Sequence, residues 1–293
     1  MFESEINFSN QLNLTDTIES GQTFLWNRKS GEMFDGSTDN IYQTCRQYNG
    51  ELVSIEVEQT GDKTLVVRSN AEQGEVIVKR VLGWDSYDVG SVQSEIVSRD
   101  REGGVMEEAI DAHPGLRVVR EPLFDTLISF ICSTQMRVER IHTMINNLKR
   151  SYGGHIPEKD MHAFPTVEQL SEATEEELRD LKLGYRAGYV KDTVDMYMNS
   201  GSDDLPTKTE DARKELKNYK GVGTKVADCV LLYAGGFLDV VPVDTWIESA
   251  VEEHYPNLHS DSNEEIARNF ESFFGEYAGF AQAYLFHYTR DNS

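Results

Sequence analysis

The sequence predicts an α+β protein: an N-terminal antiparallel β-sheet subdomain packed on a larger all-helical body that contains a helix-hairpin-helix motif. Three observations predict it. Alternating apolar and polar residues with turn signals fill the first seventy positions, helical periodicity dominates after Glu72, and two helical stretches flank Lys220-Gly221-Val222-Gly223. We divide the chain into residues 1–115, a sheet with short helices, and 116–293, the helical body, with the hairpin unit at 211–235.

The elements follow in order. Ile41 to Tyr48, then Asn49-Gly50, then Glu51 to Val57 reads as two alternating runs joined by a two-residue turn suited to a hairpin. Thr60-Gly61-Asp62 is a second turn leading into Leu65-Val66-Val67, so the first seventy residues form an antiparallel meander with one face on a core. Val76, Ile77, Lys79, Arg80, Val81 and Leu82 begin the helical part with a short helix. Leu123 to Tyr152 holds one or two amphipathic helices. Thr174-Glu175-Glu176-Glu177-Leu178 opens another with an acidic first turn, and Leu183-Gly184-Tyr185-Arg186 breaks it. Asp211 to Tyr219 and Thr224 to Ala234 are the helices of the hairpin unit. Asp244 is placed to cap the next helix, and Glu264 to Arg290 supplies the last.

The 293 residues suffice for a substantial buried core. With 28 basic against 51 acidic side chains the net charge is −23, which on its face argues against a polyanionic partner. The acid load is uneven, however. Between Ile131 and His155 stand Arg137, Arg140, Lys149 and Arg150 against Glu139 alone, and from Arg179 to Lys191 four basic residues face only Asp180. A weakly basic face on an acidic body fits a nucleic-acid protein adapted to strong salt, where counterion release contributes little and geometry and stacking carry more of the affinity. Three cysteines, Cys45, Cys132 and Cys229, with no C-x-x-C pair, argue for a reducing compartment and against a zinc ribbon or iron–sulfur cluster. No apolar run has the length of a membrane span and no basic leader precedes one, so the expectation is a cytoplasmic protein without a membrane partner.

The chemistry concentrates in G-V-G-T-K-V-A-D-C, Gly221 to Cys229, and V-P-V-D-T-W, ending at Trp246. Gly221 and Gly223 permit close backbone approach, and the amides at the following helix start are suited to meet a phosphate. Lys225 lies in the first turn of that helix, whose partial positive charge disfavours an ammonium and is a reason to suspect a nucleophilic amine. Cys229, four residues on, shares its face and could line the same pocket. Against this stands the commonest fate of a lysine, a solvated surface, and for Asp244 an ordinary N-cap role compatible with a charge-stabilising one.

These segments, with Y-A-G-F-A-Q-A-Y-L-F, Ser20-Gly21-Gln22-Thr23-Phe24-x-Trp26, F-I-C-S-T from Phe130 and L-G-Y-R-A from Leu183, resemble the helix-hairpin-helix DNA glycosylases marked by a Gly/Pro-Asp motif, in their 8-oxoguanine glycosylase/lyase branch. The matches run in order across nearly the whole chain. The resemblance implies base-excision repair of duplex DNA containing oxidised guanine. Lys225 would attack the sugar C1′ and form an imine whose β-elimination nicks the strand, with Asp244 stabilising the cationic transition state. The flipped base would lie between Cys229 and Phe286, Gln282 would read its Watson–Crick edge, and the Gly21 carbonyl would accept from the N7 hydrogen that only the oxidised base carries. Gln282 and Phe286 stand i and i+4, as a shared pocket requires.

For DNA binding the resemblance points to Gln135, Arg140, Tyr185 and Arg186, which fill the vacated space, wedge the duplex and bond the orphaned cytosine, and to Gly221, Gly223 and Trp246 at phosphates. It requires no cofactor, allows a structural monovalent cation on the carbonyls of Lys217, Tyr219 and Val222, and suggests a monomer; with the charge, it suggests a halophilic archaeon. Three departures stand out. Lys220 replaces the usual hairpin proline and adds a phosphate contact, Trp246 replaces a histidine, and Gln135-Met136-Arg137 replaces an asparagine-rich segment, which would relax the orphan-base preference. The rivals are a monofunctional glycosylase for alkylated bases, which Lys225 argues against, a non-catalytic DNA-binding protein, and an acidic protein-interaction module that has only the net charge behind it.

Overall fold

A computed structural model of the protein describes residues 1–31, 33–34, 40–84, 86–100, 104–200 and 204–292. Strand β1 (Phe2–Asn7) leads to helix α1 (Leu14–Ile18) and the short strand β2 (Asn27–Arg28). Strands β3 (Ile41–Tyr48), β4 (Glu51–Gly61) and β5 (Thr64–Ser69) follow. The predicted hairpin is present with Tyr48 opposite Glu51, and Asn49 and Gly50 both adopt the positive φ of its turn.

Two expectations shift. The second turn lies at Asp62-Lys63, because β4 continues through Gly61 with a register irregularity near Gln59. Nor is the sheet a simple meander: its order is β1-β5-β4-β3-β2, so β1 pairs with the strand most distant from it in the sheet subdomain's sequence. The inner face, with Ile55, Val57, Leu65 and Val67, is sealed by α2 (Gln73–Val81).

Helices α3 (Val89–Arg99) and α4 (Met106–Ala112) pack on the C-terminal helices rather than on the sheet. Helix α5 (Leu123–Ser133) is buried almost all round, against α6 (Val138–Tyr152) and the helices at Arg186–Ser200 and Thr224–Val230, and forms the axis of the body. Two short helices, α7 (Val167–Ser171) and α8 (Glu175–Leu178), both start in capping boxes, Thr166 with Gln169 and Thr174 with Glu177. The predicted break after α8 is a wide turn in which Lys182 and Gly184 take positive φ before α9 (Arg186–Ser200).

Helix α10 (Thr209–Leu216) and helix α11 (Thr224–Val230) flank the hairpin, and α11 loosens into a π turn at Leu231–Gly235 instead of running straight to Ala234. Helix α12 (Thr245–His254) starts at the predicted Asp244 cap. The last predicted helix is two: α13 (Asn263–Phe274) and α14 (Ala278–Asp291), separated at Gly275. The intervening turn lets α14 pack on α12, α13 and α4 together, which a single straight helix could not do. No helix among the described residues is long and apolar enough to cross a membrane.

Candidate active site

The loop after α1 begins one wall of the site. Thr23 Oγ1 and Trp26 Nε1 both donate to Glu121 Oε1, at 2.7 and 2.9 Å, and Arg46 pairs with the same buried carboxylate. Gln22 donates to the Arg117 carbonyl and accepts from Val119 N–H, at 3.0 and 3.1 Å. Ser20 Oγ donates to the Thr17 carbonyl. Gly21 therefore sits in a segment fixed on either side, with φ +89, a conformation in which its missing Cβ matters more than space does, since an added Cβ would meet only Val138 Cγ2 at 3.6 Å.

Helix α11 supplies the second wall. Lys225 is half-buried with Nζ 5.5 Å from the Phe130 ring centroid. Cys229 is buried beside it, and burial pushes its thiol up to about 11, opposed by Lys225, so it is a neutral apolar surface at physiological pH. Helix α14 provides the third, with buried Gln282 and half-buried Phe286. Asp244 closes the mouth; its Oδ1 accepts from Trp246 and Ile247 N–H, both at 3.0 Å.

These walls enclose one cavity, lined by Ser20, Gly21 and Gln22, by Phe130, Lys225, Cys229 and Tyr233, and by Pro242, Asp244, Gln282, Ala283 and Phe286. All six residues expected at the catalytic and base-binding positions converge on it. A larger open cleft, between Gly236–Asp239 and Gly275–Tyr277, contains none of them. Inside the cavity, Gln282 Oε1 is buried with no hydrogen-bond partner among the described residues. A buried amide oxygen left unpaired costs roughly 1–3 kcal/mol, a cost that a bound donor would remove.

The residues expected at the DNA interface divide. Gln135, exposed, takes a positive φ of 54° in the turn between α5 and α6, a strained conformation of the kind that clusters at functional sites. Arg186 is buried, donates through Nη2 to the adjacent Thr134 carbonyl and lies 4.4 Å from the ring of exposed Tyr185, with its Nε left unpaired. Arg186 thereby ties Tyr185 to the backbone just before Gln135. Arg140 is exposed on the first turn of α6.

Gly221 has φ +83, and a Cβ there would strike Tyr189 Cδ2 at 2.4 Å; Gly223, at the N-cap of α11, would meet nothing. Trp246 is 43% exposed and stands on the first turn of α12. Lys220, expected at a phosphate, pairs its ammonium with Asp192 at 2.5 Å on the exposed face of the hairpin. The Tyr219 carbonyl already accepts from Val222 N–H at 3.1 Å, and Lys217 Nζ donates to Thr224 Oγ1.

Sequence reasoning missed two features. Tyr233, stacked on Phe130 at 5.6 Å, lines the cavity; its spacing of four from Cys229 was the available signal. Behind α11, Asp228 pairs with Arg213 at 2.6 Å and Arg213 also reaches Glu271 at 3.2 Å, fastening α10, α11 and α13 together. Burial, partly offset by Arg213, pushes Asp228 up to about 6 and Glu271 up to about 7. No local pattern marked that network.

An antiparallel sheet on a helical body, with a glycine hairpin presenting a lysine into a pocket that an aspartate also lines, defines the class of helix-hairpin-helix base-excision repair proteins. The family comparisons agree. The model of the HhH-GPD superfamily base excision DNA repair proteins matches residues 128–276, and that of the 8-oxoguanine DNA glycosylase N-terminal domain matches residues 5–127. The chain belongs to the HhH-GPD superfamily, in its 8-oxoguanine DNA glycosylase branch. Among its relatives, an N-glycosylase/DNA lyase of Saccharomyces cerevisiae is 27% identical over 94% of this chain and 83% of its own. The structure of MBOgg1 with a low-affinity DNA ligand is similar at TM-score 0.85 and 31% identity, over 99% of this chain and 96% of that one. The Clostridium acetobutylicum 8-oxoguanine glycosylase/lyase, bound to double-stranded DNA with cytosine opposite 8-oxoG, is similar at TM-score 0.81 and 29% identity, over 100% and 98% of the two chains.

Proposed function

We propose that this protein removes 8-oxoguanine from duplex DNA and nicks the strand at the resulting site, with Lys225 as nucleophile and Asp244 as the stabilising carboxylate. The observation that carries the reading is the convergence of Gly21, Lys225, Cys229, Asp244, Gln282 and Phe286 on one cavity. The base must leave the stack before its glycosidic bond can be reached. Once extruded, it slots between the neutral Cys229 thiol and the Phe286 ring, meets the unpaired Gln282 Oε1, and offers its N7 hydrogen to the Gly21 carbonyl.

As the C1′–N9 bond breaks, its electron pair leaves with the base and positive charge grows on the sugar. Asp244, already ordered by its cap, supplies negative charge there without reorganisation. The Lys225 nitrogen lone pair forms the N–C1′ bond as its surplus proton passes to the departing base, and ring opening, with O4′ taking up a proton, gives an imine. Transfer of a C2′ proton to water then expels the 3′ phosphate and nicks the strand. Amine and carboxylate suffice for these steps, so no cofactor is needed.

Gln135, Tyr185, Arg186 and Arg140 support the opened duplex, with Arg186 Nε as a donor for the orphaned cytosine. Gly221, Gly223 and Trp246 meet phosphates. The Tyr219 carbonyl keeps a second lone pair, and with those of Lys217 and Val222 we assign it to a structural monovalent cation bridging to the backbone. In this reading residues 1–115 supply the lesion-reading wall and 116–293 the catalytic body, acting as a cytoplasmic monomer.

The test is borohydride trapping on duplexes carrying 8-oxoguanine opposite each base, from dilute to molar potassium chloride. The expected result is an adduct that Lys225→Gln abolishes and that persists at molar salt. Base release without an adduct would overturn the lysine mechanism, and collapse of activity toward molar salt would overturn the salt adaptation inferred from the net charge of −23.

A further inference from the structure

The segment carrying Gly21 is gripped from two directions. The Glu19 carboxylate is anchored in the sheet subdomain, accepting from Arg28 Nε at 2.5 Å, Tyr42 Oη at 2.9 Å and Phe34 N–H at 2.8 Å. Its main-chain carbonyl, two residues before Gly21, instead accepts from Arg290 Nη1 at 3.2 Å. Arg290 belongs to the opposite wall of the cavity: it stands one helical turn beyond Phe286 on α14, with its guanidinium carbon 5.9 Å from the Phe286 ring centroid.

The guanidinium is itself oriented. Arg290 Nη2 lies 3.1 Å from His287 Nδ1, and arginine has only donors, so that nitrogen must be the unprotonated one. The other ring nitrogen, Nε2, then donates to the Asp16 carbonyl at 3.2 Å. The His287 ring stacks on His113 at 4.2 Å, and His113 Nδ1 lies 3.1 Å from Asp16 Oδ2. Burial pushes His287 down to about 4, in keeping with this neutral, bridging form. Asp16, His113 and His287 also lie close enough together to ligate a metal, but both His287 nitrogens have protein partners and a guanidinium occupies one of them. The cluster is therefore built to hold two elements together.

We propose that Arg290, oriented by His287, is a positioning residue that sets the gap between the Gly21 backbone and the Phe286 ring, and with it the selection of the oxidised base over guanine. This rests on the reading of Gly21 and Phe286 given above. Arg290 is not among the residues that line the cavity, so its loss should spare chemistry that needs no base in the pocket. A gap a few tenths of an ångström too wide would weaken both the stack and the carbonyl bond on which discrimination depends.

The experiment compares Arg290→Met, which keeps much of the apolar stem, and Arg290→Lys, which keeps the charge and a single donor nitrogen in place of the guanidinium fork. Single-turnover excision is measured on 8-oxoguanine duplexes, strand nicking on abasic duplexes, and equilibrium binding on guanine and 8-oxoguanine duplexes with a Lys225→Gln background. Arg290→Met should lose about ten-fold in 8-oxoguanine excision and in the binding ratio of 8-oxoguanine over guanine, the scale of one hydrogen bond, with abasic nicking within about two-fold of the parent. Arg290→Lys should fall between. Unchanged excision and selectivity in either variant overturns the proposal, as does an equal loss on abasic duplexes. Should Arg290→Met not fold, the Arg290→Lys ratio decides alone. A parent protein that nicks abasic duplexes but ignores 8-oxoguanine would instead overturn the underlying reading of the base pocket.

Discussion

Asp244 caps a helix and, in the proposed function, also serves the chemistry, and the two roles can be separated. Its Oδ1 caps α12 through two N–H bonds, a role that an asparagine oxygen can copy, whereas the negative charge facing the sugar cannot be copied by a neutral amide. Asp244→Asn should therefore keep stability within about 0.5 kcal/mol yet lose on the order of 100-fold in excision rate, while Asp244→Ala loses the rate and about 1 kcal/mol besides. Single-turnover kinetics and urea unfolding on both variants make the comparison, and an asparagine variant with full activity would reduce Asp244 to a cap. Gln282 offers the complementary case, since a buried Oε1 with no protein partner should destabilise the free protein. Gln282→Leu should raise the unfolding free energy by roughly 1 kcal/mol while weakening binding to 8-oxoguanine duplexes, and a simple loss of stability would show that the amide is satisfied in the free state.

The hairpin between α10 and α11 is the element that the proposed function sets against DNA. Its two glycines serve different ends. Gly221 turns the chain at φ +83 against the Tyr189 ring, so Gly221→Ala should destabilise the fold by about 1–3 kcal/mol in urea melts. Gly223 has open space and an extended conformation, so Gly223→Ala should melt like the parent but bind duplex DNA more weakly, because a methyl would stand where a phosphate approaches the helix amides. Equal melting of the two variants would contradict this division. The difference was half legible: the glycine hairpin announces itself in the sequence, but the ring that Gly221 faces belongs to α9.

For the molecule as a whole, the sheet and the helical body are joined through buried polar contacts as well as apolar ones. Lys149 on α6 is 3% exposed and donates to the Leu25 carbonyl at 3.2 Å, tying the body to the loop that carries Gly21. Burial, then the nearby Arg46 charge, pushes its ammonium down to about 8 from the usual 10.5. The folded state thus binds fewer protons than the unfolded chain between those values, so stability from this group rises with pH across that window and its full cost is present below pH 8. Lys149→Met should flatten the dependence: the melting temperature of the parent should gain on that of the variant between pH 8 and 9.5. A constant difference across that range would mean that Lys149 is solvated in the folded state.

Much of the local structure was legible because it depends on neighbours in the chain. The Asn49-Gly50 turn, the acidic start of α8, the Asp244 cap and the i, i+4 pairs Lys225 with Cys229 and Gln282 with Phe286 are set by backbone preference and helical spacing, so the sequence by itself determined the class of fold, the hairpin and the chemical types at the site. Contacts between distant segments had no such signature. Only the tertiary structure decided that β1 pairs with β5, that the Glu121 carboxylate fixes Thr23 and Trp26, that Lys220 is taken by Asp192, and that the chain after α13 turns at Gly275 to bring α14 against Gly21. The physical reason is that each of these depends on which surfaces pack together, and a pocket drawn from opposite ends of the chain exists only once the whole core has closed around it.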